Sequence, residues 1–344
     1  MNTEVTQADI AKALKIARST VTMALKNDQS IAEETRQLVH SKAKELGYVP
    51  NPSLSALAAY RHKKGSPVPH SSIAIIRNEV SIDKKFRSRN RIYESLVERA
   101  KVLGYSATAF RSDFSAKSLK SILRQCHARG IRGVILFSYL PLNSDEISKV
   151  DWSEYAVLSL VASTQNDRIP NIDFGVYNDT IDVVRRIAEA GYQRPGIIVS
   201  RATADVNFDL SLNAFREACK RFGLDTDVPP YRHNTDRDVK EIWAWAKQEK
   251  IDLALGVQLE FVGEILNKIV ANEPLSFDFV CMDLNTEHIG KIAGAYGQRS
   301  EIANAAINQV HGMIQTWRFG LPQHSYSILV RKLWQNGVSA PRIQ

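Results

Sequence analysis

Between Ala17 and Asp28 the chain reads "ARSTVTMALKND", and its polar groups are of one chemical kind. Arg18, Ser19, Thr20, Thr22 and Lys26 all supply hydrogen-bond donors, Met23 stands among them, and no carboxylate occurs until Asp28. On a helix, Val21, Ala24 and Leu25 form one apolar stripe, while Arg18, Ser19, Thr22, Met23 and Lys26 fall on its other side. Donors without acceptor carboxylates suit phosphate oxygens and base edges better than they suit a protein groove. This chemistry alone leaves two readings open, a nucleic-acid-facing surface and the solvated face of a structural bundle.

Other chemistries find little support. Glycine-rich phosphate loops of the GxGxxG and GxxxxGK[ST] kinds are missing, as are HExxH and GxSxG, and His288 stands alone, as a surface residue rather than a catalyst. Cys126, Cys219 and Cys281 are far apart and lack metal-ligand spacing, so buried free thiols in a reducing cytoplasm are expected. Neither a cofactor, a metal nor an enzymatic activity is therefore expected. The 344 residues carry a formal charge of +8, and a pI near 9.3 points to an anionic partner. The start, "MNTEVTQADIAKALK", lacks an apolar core segment, and no later run approaches the roughly 18 apolar residues of a membrane span. A cytoplasmic location follows as the expectation.

The donor-rich helix has close neighbours. Thr6 is a good N-cap for a helix whose Ile10, Ala11 and Leu14 share one stripe, and "EETRQLVHSKAKELGY" supplies a third helix, with Leu38, Val39, Ala43 and Leu46 inward and Gly47 as its stop. Three short helices around one small core are predicted. "VTQADIAKALKIARSTVTMALKND" followed by "IAEETRQLVHSKAKELGYVPNPSLSALA" resembles the DNA-binding headpiece of the LacI family of bacterial transcription regulators, over nearly all of residues 5–61. The resemblance implies that the second helix lies in the major groove, with Arg18, Ser19 and Met23 at base edges and Thr6, Thr20 and Thr22 at phosphates. Three positions depart from the family pattern. Lys15 replaces the turn glycine, Ala17 the capping serine of the recognition helix, and Met23 an arginine. The last change exchanges a guanine-reading side chain for one suited to a thymine methyl.

After Pro50, Asn51 to Arg61 can form a short helix with Asn51 as N-cap and Pro52 at its first position, followed by a Gly/Pro/Ser linker. In the resembling family such hinge helices pair on bent DNA, and the position of the minor-groove wedge falls on Leu57, between Ala56 and Ala58.

From Ser72 onward, apolar strands such as "SIAIIR", "VILFS", "PGIIVS" and "FDFVCMD" alternate with amphipathic helices, the pattern of a parallel sheet with crossover helices. The expected fold is a small all-α helix-turn-helix domain followed by two doubly wound parallel-sheet α/β subdomains, resembling a periplasmic-binding-protein-like core. Expected boundaries are a headpiece at 1–50, a hinge at 51–71 and a core at 72–344. Within the core, about 72–169 with 295–325 form one subdomain and about 171–293 with 326–344 the other. The resemblance places an effector in the cleft between them, at Asp283 and Gln298. Ser211 and Gln258 replace the residues usual at two sugar-contacting positions, and Arg89 and Asn90 are candidate substitute donors. The effector is expected to be small and polar, with a sugar as one candidate.

Together these features predict a ligand-responsive regulator, with repression the expected sign, bound as a homodimer to a pseudo-palindromic operator in double-stranded DNA. The stretch ending "APRIQ" shows no heptad run, so a tetramerising coiled coil is not expected. The rival readings are a solute-binding protein, disfavoured by the headpiece, and an enzyme on the same scaffold, disfavoured by the lack of a nucleophile, metal set or cofactor loop.

Overall fold

The computed structural model describes residues 5–25, 30–48, 71–78, 87–139, 142–161, 169–200, 206–233, 239–257, 267–268 and 277–343. At the N-terminus are three helices, α1 (Gln7–Leu14), α2 (Arg18–Leu25) and α3 (Glu33–Glu45). Ile10, Ala11, Val21, Ala24, Val39 and Ala43 are buried together as their common core. One expected core residue differs: Leu38 is 53% exposed, because only one stripe of α3 can face so small a core, and Val39 and Ala43 occupy it.

The α1–α2 turn is tight. Lys15 takes the left-handed conformation at φ 55° and ψ 38°, and the Ile16 N–H reaches back to the Ala11 carbonyl at 3.1 Å. Glycine would adopt this conformation without strain, whereas a side chain costs about 1–2 kcal/mol. A polar relay then ties the three helices. The Thr22 hydroxyl donates to Gln7 Oε1 at 2.8 Å, and Gln7 Nε2 donates to the Tyr48 hydroxyl at 3.1 Å.

The larger region holds two six-stranded sheets. The first comprises β1 (Ser71–Arg77), β2 (Tyr105–Arg111), β3 (Gly133–Phe137), β4 (Ala156–Leu160), β5 (Asn171–Phe174) and β11 (Ser327–Val330), in spatial order β11-β5-β4-β3-β1-β2 and parallel throughout. The second comprises β6 (Pro195–Ser200), β7 (Tyr231–His233), β8 (Leu253–Gly256), β9 (Asp278–Leu284), β10 (Ala293–Tyr296) and β12 (Leu333–Gln335), in order β12-β10-β9-β8-β6-β7, with only β12 antiparallel among these pairings.

Alternation along the strands explains why both faces need covering. In β1, Ile73 and Ile75 join one core while Ala74 and Ile76 join another. The first core also contains residues of α4 (Arg87–Val102) and α10 (Arg299–Gln315), and the second those of α5 (Ala116–Ala128) and of the short α6 (Ser144–Ser148). The second sheet is built likewise, between α7 (Val176–Glu189) with α8 (Val206–Phe222) on one face and α9 (Val239–Gln248) on the other. Cys126, Cys219 and Cys281 are buried and free, as expected, and burial pushes the thiols up, to about 11 for Cys126 and about 12 for the other two.

Crossings between the sheets differ from the sequence expectation. Strands β5 and β11 both pair in the first sheet, so the chain leaves it after Phe174 and after Val330, not near 169 and 325. Strand β10 pairs with β9 in the second sheet, so the return to the first follows Tyr296 rather than residue 293. Strand patterning marks where a strand is, but its hydrogen-bonding partner decides which sheet owns it. Helix α10 then packs against β3 so closely that a Cβ at Gly133 would lie 2.7 Å from Val310 Cγ1.

Candidate DNA-reading face and effector cleft

Helix α2 buries Val21 and Ala24, which turns Arg18 and Ser19 outward; both are exposed, and Thr20, Thr22 and Met23 are half-buried beside them. The capping position before α2 is held by Ala17, whose carbonyl accepts from the Val21 N–H at 3.1 Å but whose side chain can cap nothing. Two threonines expected at phosphates have their protons engaged within the headpiece. The Thr6 hydroxyl and backbone N–H both donate to Asp9 Oδ2, at 2.7 and 2.8 Å, and these bonds hold the Asp9 carboxyl below its usual range. The Thr22 hydroxyl serves Gln7 Oε1 or the Arg18 carbonyl. A phosphate oxygen only accepts, so neither hydroxyl can donate to it in this conformation. Arg18 and Ser19 keep the outward placement, with Thr20 and Met23 half-buried beside them; Lys26, Asn51 and Leu57 lie outside the described residues.

At the carboxyl ends of the strands, Asp283 sits near the end of β9, and Gln298 is the half-buried N-cap of α10. Asp283 is engaged within the chain. Arg299 Nη2 donates to Asp283 Oδ1 at 2.9 Å, and Lys332 Nζ lies 3.7 Å from the same oxygen. Arg299 Nη1 also donates to the Gly297 carbonyl at 2.5 Å, while Lys332 Nζ donates to the Met282 carbonyl at 2.6 Å. The Phe174 ring lies near both cations, with its centroid 5.7 Å from the Arg299 guanidinium carbon and 5.3 Å from Lys332 Nζ. A Cβ at position 297 would meet Arg299 Nη1 at 2.6 Å and Phe174 Cε1 at 3.1 Å, so a side chain there would push the guanidinium aside.

Since α10 packs on the first sheet and β9 belongs to the second, the Arg299–Asp283 pair joins the two lobes. Arg91 of α4 makes a second cross-lobe contact, donating to Thr286 Oγ1 at 2.5 Å. Between α4 and the second lobe is a cavity of about 350 Å³ lined by Arg91, Glu94, Glu98, Asn285, Tyr296 and Arg299, among others.

The remaining effector candidates are scattered. Ser211 is fully buried in α8 and its Oγ has no hydrogen-bond partner, so it presents nothing to solvent. Arg89 and Asn90 lie in the first turn of α4, with side chains outside the described set, and Gln258 is outside it altogether. His288, expected at the surface, is buried, and its Nδ1 accepts from the Asn285 N–H at 3.1 Å, closing the short 3₁₀ turn Thr286–His288 beside the cleft. Sequence reasoning missed Arg299 and Lys332. Arg299 carried a signal, since a cation in the first turn of a helix opposes the helix dipole and needs a compensating partner.

Residues 6–51 match the profile of the family described as "Bacterial regulatory proteins, lacI family". The N-terminal domain is a lacI-family headpiece. The HTH-type transcriptional regulator MalR of Streptococcus pneumoniae is 25% identical over 224 residues, which are 65% of this chain and 65% of MalR, a little under two thirds of either. An uncharacterized HTH-type transcriptional regulator of Bacillus subtilis, YvdE, is 36% identical over 56 residues, 16% of this chain and 18% of that protein. Among solved structures, the lac repressor dimer bound to operator and the anti-inducer ONPF superposes with a TM-score of 0.59 at 15% identity, covering 97% of this chain and 98% of that one. The transcriptional regulator CelR in complex with cellobiose gives 0.57 at 15% identity, covering 97% and 99%. These structural likenesses establish the fold behind the lacI-family headpiece, two parallel-sheet lobes following three short helices. Among the described residues no helix is long and apolar enough to cross a membrane.

Proposed function

We propose that the protein is a sequence-specific, ligand-responsive transcription repressor, acting in the cytoplasm and not as an enzyme, and that it binds a pseudo-palindromic operator as a homodimer. The observation that carries this is α2, a helix with a buried back, exposed Arg18 and Ser19, half-buried Thr20 and Met23 beside them, and no carboxylate. Support comes from the lac repressor, whose structure is that of a dimer on operator DNA, and from CelR, whose structure holds cellobiose. A two-fold protein needs a two-fold site because each recognition helix reads one half.

Residues 1–50 then act as reader, 51–71 as hinge with Leu57 as the minor-groove wedge, and 72–344 as sensor. An effector at Asp283 and Gln298 would meet the cross-lobe ion pair directly. It changes operator affinity only through its different affinities for the lobe arrangements. Selection of bound duplexes from a randomised DNA pool by the full-length protein tests the reading. A two-fold symmetric consensus is expected, and enrichment of no common sequence would refute it.

A further inference from the structure

Two cations at the cleft share one carboxylate. Arg299 is 8% exposed and the Lys332 side chain 7%, and both address Asp283 Oδ1, whereas the Asp283 side chain remains 33% exposed and opens to solvent. The other nearby carboxylate, Asp179, is nearly fully buried and accepts from Arg331 Nε at 2.7 Å and from the Lys332 backbone N–H at 3.3 Å, so it serves Arg331 first. The first lobe holds another buried cation. Arg77 ends β1, is 7% exposed, and has its guanidinium carbon 4.4 Å from the Tyr93 ring centroid. The Arg77 guanidinium carbon also lies 5.7 Å from the centroid of the Phe137 ring, which in turn packs on Tyr139 with 5.5 Å between ring centroids. The N-terminus of the 17-residue α10 adds positive potential at Arg299.

Cations held this far from water are costly unless anions complete their coordination. We propose that the effector is a small hydroxylated anion, whose carboxylate or phosphate binds Arg299 and Lys332 while its hydroxyls meet Asp283 and Gln298. This rests on the regulator reading above and gives its ligand a chemical class. Two buried cations and one carboxylate leave a net positive charge that a neutral sugar does not match. The cavity against α4 is lined by Glu94 and Glu98, which would repel an anion, and by neither Asp283 nor Lys332, so it is not the proposed site.

The test is thermal unfolding and titration calorimetry of the full-length protein at constant ionic strength. Gluconate, galactarate, citrate and glucose 6-phosphate are compared with glucose and cellobiose, and the carboxylates and the phosphate ester form separate arms that identify the anion. At least one anion should raise Tm while the neutral sugars do not, since only a binder of the native state stabilises it. For that anion, Lys332→Met should weaken Kd by about tenfold or more, and Arg299→Gln serves as the second variant should the first fail to fold. An equal shift with glucose or cellobiose, or no shift with any of the four anions, overturns the proposal. Operator binding on the same preparation separates the two readings. DNA binding with a response to neutral sugars only would leave the regulator standing and remove the anion, whereas no DNA binding at all would remove the regulator.

Discussion

Met23 is the departure from the resembling family pattern that matters most chemically, because a half-buried thioether can touch a thymine methyl but cannot fork onto guanine. Met23→Arg should move the preferred base at one position of each half-site toward guanine, by about 1–3 kcal/mol. Base-resolved selection reads this, and an unchanged consensus would show that Met23 faces no base. His288 makes a different kind of prediction. Burial pushes its imidazole below the ordinary value, and the Asn285 N–H donates to Nδ1, so the folded protein holds the ring neutral with its proton on Nε2. The unfolded chain therefore takes up this proton first as the pH falls. Stability is complete above the ordinary histidine pKa of about 6.5 and declines as the pH drops through the window below it. His311, also pushed down by burial, contributes in the same direction. In His288→Gln the loss of Tm between roughly pH 7.5 and 5.5 should shrink; an equal loss would contradict the assignment. Residue types in α2 were legible from sequence because their spacing fixes their face. The internal commitment of Thr6 and Thr22 was not, since it depends on Asp9 and Gln7 turning toward them in space.

At the scale of elements, both ends of the α1–α2 turn carry substitutions that weaken it. Lys15→Gly relieves a left-handed residue and Ala17→Ser restores a capping hydroxyl, so each should stabilise the headpiece by about 1 kcal/mol, read as a rise in its unfolding midpoint. Both weaknesses were visible in the sequence because turn and cap chemistry is local. The cross-lobe pair was not, because Arg299 and Asp283 come from different sheets and meet only after the chain has crossed between them. Asp283→Ala leaves Arg299 and Lys332 buried without that carboxylate. Discounted for the carboxylate's partial exposure, this should cost the core about 2 kcal/mol. A variant as stable as the parent in chemical denaturation would mean that the pair contributes nothing to holding the lobes. The crossing points were misplaced by a few residues for a related reason, since β5 and β11 read as strands in either lobe until their partners are known.

For the whole molecule, the proposed order of reader, hinge and sensor would couple DNA affinity to lobe arrangement through the segment at 51–71. The alternation of strands and helices made the two-lobed plan legible from Ser72 onward, because both faces of a parallel sheet must be covered. Ligand chemistry was far less so: the expected contact at Ser211 turned inward, and the two cations proposed to meet the ligand came from α10 and from between β11 and β12. The central claim is that two copies of α2 read a two-fold DNA site. Its most direct test is a titration of the selected duplex with full-length protein, followed by fluorescence anisotropy at several salt concentrations and repeated with a scrambled duplex. Two chains should bind per duplex, log K should fall linearly with log salt by about 0.9 per phosphate neutralised, and the scrambled duplex should bind about a thousandfold more weakly. Equal affinity for the two duplexes, or binding indifferent to salt, would contradict it.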